Sequence, residues 1–212
     1  SPECEITLEA NPGSIESAKF QAFRQLGINR LSIGIQSFND AHLKSLGRIH
    51  SADEARQAVD TARQAGFDNL NLDLMFGLPR QTEAEMLSDI ETAVAFHPTH
   101  ISFYQLTVEP NTYFYTFPPP LPEDDDIYMA QKRCQALLAQ HGYQQNEISA
   151  YAQVGFECRH NRNYWQFGDY LGIGAGAHGK LSLAMPGNII RTTKPKNPDI
   201  YMSGHGKGGR EI

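Results

Sequence analysis

Asn69-Leu70-Asn71-Leu72-Asp73-Leu74-Met75-Phe76-Gly77-Leu78-Pro79 is the stretch on which the reading of this sequence turns. It is a β-rich run that closes on a Gly-Leu-Pro turn signal, and it carries a carboxylate between apolar neighbours. A buried Asp73 needs a partner or a cavity, because an ionised group without one is too costly to hold in an apolar setting. Moving outward, similar short runs occur at residues 6–9, 30–35, 101–106 and 145–149. Amphipathic stretches with legible ends separate them. Ser14 can cap a helix over 15–26 that stops at Gly27. Ser51 with Glu54 forms a capping box for a helix running to 65, stopped by Gly66, and Thr82 with Glu85 repeats the device. A further helix is expected over 128–141, ending at Gly142, and strands return near Lys180 and Ile190. Alternation of this kind predicts an α/β fold with βα units around a parallel sheet.

The bulk numbers bound the function classes. The chain has 212 residues, 40% hydrophobic and 20% charged, which is enough for one substantial core. No apolar run approaches the roughly 18 residues that a membrane span needs. A formal net charge of −6 disfavours a phosphate-binding surface, so no nucleic acid is expected among the partners. Three widely spaced cysteines, Cys4, Cys134 and Cys158, make neither a disulfide framework nor a CxxC motif, and a reducing, cytoplasmic setting is expected. The acidic run at 123–126 precedes a helix, and the helix dipole accounts for it without a metal. The Gly-rich end of the chain, Ser203 to Arg210, has too few apolar groups to offset ordering entropy and reads as a frayed tail.

In parallel βα folds, chemistry collects beyond the carboxyl ends of the strands. Glu9, Gln36, Asp73 and Gln105 with Thr107 fall near such ends, one βα unit apart, so that they could converge on one ligand. Strand-end polar residues also cap helices and satisfy loop amides, so each alone carries little weight. Arg48, twelve residues after Gln36, could offer a guanidinium fork to a carboxylate or make a surface ion pair.

The segments Glu9-Ala10-Asn11-Pro12-Gly13, Ser32 to Phe38, Leu46-Gly47-Arg48-Ile49-His50 and Leu72 to Pro79 follow one another at family spacing. Glu109 to Thr112, His160 to Trp165 and Gly172 to Gly179 continue the series. Together they resemble the radical S-adenosylmethionine (SAM) group that contains oxygen-independent coproporphyrinogen III oxidase and the HemW-type haem chaperones. The resemblance implies a partial parallel βα barrel, truncated here. It also implies SAM held by Glu9, Gln36, Arg48 and Asp73, with His178 in a Gly-rich segment near the adenine. It implies further a [4Fe-4S] cluster whose ligands, in a CxxxCxxC motif, lie upstream of Ser1, and a C-terminal helical domain beyond this chain. The 212 residues alone are therefore expected neither to build the cluster nor to cleave SAM reductively. On this reading residues 1–150 are βα units, 151–195 a loop-rich closing segment, and 196–212 a flexible tail.

The HNxxYW segment, His160-Asn161-Arg162-Asn163-Tyr164-Trp165, marks the chaperone branch of that resemblance. It implies haem binding, with His160 as an iron ligand, Asn161, Tyr164 and Trp165 beside the macrocycle, and haem-requiring acceptor proteins as partners. Cys158 is the competing ligand. The bland reading of the same residues is a loop histidine bonded to local backbone with Tyr164 and Trp165 covering a core. Oxidative decarboxylation of a porphyrinogen is the alternative function within the family.

Overall fold

The structure is a computed structural model that describes residues 4–14, 17–183, 187–204 and 210–211. It divides into two compact units, Ser1–Glu157 and Cys158–Ile212.

The first unit opens with β1 (Thr7–Ala10) and α1 (Ser17–Gln25), then β2 (Arg30–Gln36), α2 (Asp40–Ser45) and α3 (Ala52–Gln64). β3 (Leu70–Phe76), α4 (Glu83–Ala95), β4 (His100–Gln105), α5 (Tyr113–Thr116) and α6 (Asp124–Gln140) follow, and a hairpin of β5 (Gln144–Gln145) and β6 (Ala150–Ala152) ends it. The expected helix start at Ile15 lies outside the described residues. Both capping boxes form as the sequence predicts, Ser51 with Glu54 on α3 and Thr82 with Glu85 on α4. Gly66 and Gly142 close α3 and α6 in the left-handed region, at φ +87° and +83°.

The sheet order is β1-β2-β3-β4-β6-β5, with β1 to β4 mutually parallel. The single strand expected over 145–149 is instead two strands. β6 runs antiparallel to β4 and β5 antiparallel to β6. Only four residues separate β5 from β6, which permits a hairpin and forbids a parallel crossover. β5 therefore keeps the direction of the parallel strands, while β6 folds back into the place beside β4. The helix expected from residue 128 begins at Asp124, so that three aspartates occupy its first turn, where the N-terminal end of the dipole favours them.

Alternation along the strands sorts their side chains onto two faces. Leu31, Ile33 and Ile35 on β2, Leu70, Leu72, Leu74 and Phe76 on β3, and Ile101 and Phe103 on β4 are buried in one apolar cluster. The same cluster holds Phe20 of α1, Ala55, Ala58, Val59 and Ala62 of α3, Met86, Ile90 and Ala93 of α4, and Ala130, Cys134 and Leu138 of α6. Each fully buried Leu, Ile or Phe contributes roughly 1.5–3 kcal/mol. The small stripe on α3 lets that helix lie close against the sheet. Because every packed helix covers this one face, the residues between the core positions are left to the other.

The second unit holds α7 (Arg159–Trp165), β7 (His178–Ser182), β8 (Ile189–Thr193), α8 (Pro198–Ser203) and β9 (Arg210–Glu211). β7, β8 and β9 form an antiparallel sheet. Asp169 ties the loop before β7 to that strand. Its Oδ1 accepts from Ser182 N at 2.9 Å, from Ser182 Oγ at 2.8 Å and from the buried Lys180 Nζ at 3.3 Å. Within the stretch read as a flexible tail, Asn197 caps α8, accepting from Asp199 N and Ile200 N. Residues 205–209 lie outside those described.

Candidate functional site

The face of the first unit's sheet opposite the helices is polar. Glu9 on β1 is in register with Ser32 on β2, and Asp73 on β3 with Ser102 on β4. Asn71, His100 and Tyr104 complete the face by the same alternation. Asp73 stands in the middle of β3 rather than near its end. Its Oδ2 accepts from Ser32 Oγ at 3.1 Å and its Oδ1 from Asn71 Nδ2 at 2.7 Å. Burial raises the Asp73 carboxyl above the ordinary carboxylate range, hydrogen bonds from Ser102, Asn71 and Ser32 oppose the rise, and the charge of Glu9 adds to it.

Gln36 is buried at the end of β2 with φ +70°, a left-handed conformation that costs a non-glycine residue of order 1–3 kcal/mol. The pairing of β2 with β3 shifts register between Ile33 and Gln36, so the regular ladder ends where the side chain must turn. Its Oε1 accepts from Tyr104 Oη at 2.6 Å. Burial and the Asp73 charge raise the Tyr104 phenol, while the Arg48 charge and the bond to Gln36 lower it. Arg48, on the loop between α2 and α3, donates from Nη1 to Asn11 Oδ1 at 3.3 Å. A Cβ at Gly34 would stand 3.0 Å from Gln36 Nε2 and 3.1 Å from Asn11 Oδ1, so the bare backbone there is what lets the two amides sit over β2.

Glu9, Gln36, Arg48 and Asp73 are thus brought to one region, joined through Tyr104, Asn11 and the strand register. Gln105, expected with them, is not. It alternates onto the helix side of β4, beside Gly77 and Ile127, and Tyr104 takes its place. Sequence reasoning assigned none of Asn11, Asn71, His100 and Tyr104 to the site, and His100, one of several scattered histidines that read as surface or capping residues, is buried. The signal for the last three was the alternation that places them on the face of Asp73. The set suits SAM: carboxylates for an ammonium or ribose hydroxyls, a guanidinium for a carboxylate, and an amide that can both donate and accept.

In the second unit α7 starts at Arg159 immediately after the buried Cys158, whose Sγ lies 3.3 Å from His160 Nδ1. His160 is exposed, as are Tyr164 and Trp165, at 52% and 58%. The expectation that these rings cover a core is therefore not met. Helical spacing puts His160 with Tyr164, and Asn161 with Trp165, one turn apart. The Tyr164 ring meets Tyr170 edge-on at 4.7 Å. His178 is the exposed first residue of β7. A Cβ at Gly172 would come within 2.0 Å of the His178 carbonyl oxygen, so this glycine sets the close approach of loop and strand.

The three cysteines do not suit an iron–sulfur cluster. Cys134 is buried in the apolar core on α6, with its thiol pushed up to about 12, and it cannot supply a thiolate there.

Comparison with known proteins bears on the family and the fold. The model of the radical SAM superfamily matches residues 1–93. Residues 1–93 thus match that superfamily, and the curated relatives of the chain bear the name of HemW-type haem chaperones. The chain is 54% identical over 200 residues to a protein of Haemophilus influenzae named heme chaperone HemW, covering 94% of this chain and 52% of the relative. The protein of the same name in Escherichia coli is 50% identical over 202 residues, covering 95% of this chain and 53% of the relative. The chain spans about half the length of the curated relatives it matches. Among solved structures, the radical SAM coproporphyrinogen III oxidase of Escherichia coli superposes with a TM-score of 0.80 at 22% identity, over the whole of this chain and 52% of that one. That likeness is one of fold. No described helix is long and apolar enough to cross a membrane.

Proposed function

We propose that the chain is part of a haem chaperone that binds SAM on the polar sheet face, carries haem at α7 and passes it to haem-requiring proteins in the cytoplasm. The observation that carries the reading is the convergence of Glu9, Gln36, Arg48 and Asp73 on one side of the sheet. The names of the relatives then select the chaperone branch. When bound, SAM and a [4Fe-4S] cluster would supply reductive cleavage of the sulfonium. The residues of this chain bind and orient instead. Arg48 meets the SAM carboxylate, the two acids accept from ammonium or hydroxyl groups, and Gln36 is fixed by Tyr104 to accept or donate at its free amide positions.

At α7, His160 suits the role of iron ligand better than Cys158 does, because the imidazole is exposed and the sulfur is buried. Exposed Tyr164 and Trp165 offer apolar faces to a macrocycle, and Asn161 a polar edge. Titration with haem, followed by absorbance, tests this on the parent chain, His160→Ala and Cys158→Ala after each is shown to be folded. Saturable binding lost only in His160→Ala supports the carrier. Equally weak, unsaturable binding in all three removes the haem site and brings the porphyrinogen oxidase reading forward.

A further inference from the structure

Asn71 is buried on β3, two residues before Asp73, and every hydrogen-bonding group of its amide faces a partner. Nδ2 donates to Asp73 Oδ1 at 2.7 Å and to Ser32 Oγ at 2.7 Å. Oδ1 lies 2.6 Å from His100 Nδ1 and accepts from Ser102 Oγ at 3.1 Å. An ionised carboxylate accepts only, so the amide nitrogen must face Asp73 and the oxygen must face His100. That orientation fixes the imidazole tautomer: Nδ1 carries the proton and donates. The chain of donors thus runs from His100 through Asn71 to Asp73, crossing from β4 to β3 beneath the residues that reach toward the strand ends.

We infer that Asn71 is a positioning residue for Asp73, turning its carboxylate toward bound SAM, with His100 holding the Asn71 amide in the orientation that does so; the inference rests on the SAM reading of this face. A carboxylate half-buried between strands would otherwise turn its oxygens toward whichever donor is nearest, or take up a proton. Asn71 commits one oxygen and Ser32 the other, with Ser102 as a further hydrogen-bond partner of the carboxyl. The groups that act on Asp73 from neighbouring strands are Ser32 on β2 and Ser102 on β4, which hydrogen-bond to it, and Glu9 on β1, whose charge opposes its ionisation, while the Asp73 charge in turn raises the Tyr104 phenol. Glu9 disfavours its ionised form, and donors such as Asn71 favour it.

The test uses the full chain, labelled for carboxyl carbon NMR, with SAM itself as the calorimetric probe. Asn71→Ala is expected to move the Asp73 titration to higher pH. It should also weaken SAM about 10-fold near neutrality, the scale of one hydrogen bond to a charged group, with the deficit growing as pH falls. His100→Leu should act in the same direction and His100→Gln, whose amide can donate in place of Nδ1, should restore both readouts. A folded Asn71→Ala that leaves the Asp73 titration unmoved and weakens SAM equally at every pH overturns the inference, as does a His100→Gln as damaging as His100→Leu. Should Asn71→Ala not fold, the His100 pair decides. If the parent chain binds no SAM while the Asp73 titration moves as expected, the SAM reading fails and the carboxylate-positioning role stands.

Discussion

Gly34→Ala separates the site from the scaffold that carries it. Gly34 lies inside β2 with no left-handed backbone requirement, so alanine fits the main chain and by propensity alone gains about 0.5–1 kcal/mol. Its new methyl, however, would stand 3.0 Å from Gln36 Nε2 and 3.1 Å from Asn11 Oδ1, tighter than van der Waals contact allows. Both neighbours are ends of side chains, so they yield before the strand does. Moving Gln36 stretches its 2.6 Å bond from Tyr104, and moving Asn11 breaks the 3.3 Å bond from Arg48. Crowding of this kind costs about 1–3 kcal/mol, at least as much as the propensity gain, so the net loss of stability should be about 0–2.5 kcal/mol. The ligand-facing consequence is larger. If the misplaced amide and guanidinium together forfeit about 2 kcal/mol of binding, Kd for SAM rises about 30-fold. Calorimetry of SAM binding, paired with urea unfolding of the same samples, reads both numbers. A folded Gly34→Ala with unchanged affinity would refute the argument that Gln36 and Arg48 are positioned for this ligand.

Three further outcomes follow from the same structure. Asp73→Asn should abolish SAM binding yet raise stability at pH 7. Because the folded carboxyl lies above its unfolded value, its contribution to stability is full at low pH and is lost as pH rises through the folded value, so the mutant's advantage should shrink on acidification in unfolding curves. At pH 8 iodoacetamide should label exposed Cys4 and leave buried Cys134 unmodified until denaturant is added, as mass spectrometry of the peptides would report. Ser51→Ala removes the acceptor for Glu54 N, 3.2 Å away, and should cost about 1 kcal/mol in urea unfolding without touching ligand affinity.

The parts of the fold legible in the sequence are those that one local signal determines. Two capping boxes and the left-handed glycines after α3 and α6 mark helix ends whatever the rest of the chain does. The hairpin β5–β6 was not legible. Gln144–Gln145 is too short and polar to announce itself, and the place of β6 beside β4 is a pairing between residues about fifty positions apart. The start of α6 differs from the sequence reading by about one turn: the helix dipole explains an acidic run either just before a helix or inside its first turn, and Asp124 to Asp126 fall inside it.

The polar face of the sheet is legible by a different route. Strand-end polarity pointed to Glu9, Gln36 and Gln105 alike, yet period-two alternation puts Gln105 on the helix side and Tyr104 on the site side. The alternation was available in the sequence, since Asn71, Asp73 and Met75 interleave with Leu70, Leu72, Leu74 and Phe76, and following it names Asn71 as well. A strand buried on both faces by apolar packing would have leucine at positions 71 and 73 also. β3 instead keeps one face polar, and there a buried carboxylate is held against its own desolvation by Ser32, Asn71 and Ser102. That desolvation opposes folding at neutral pH, a cost that an apolar face would not carry. A polar face of this kind fits the proposed ligand-binding role better than a packing role.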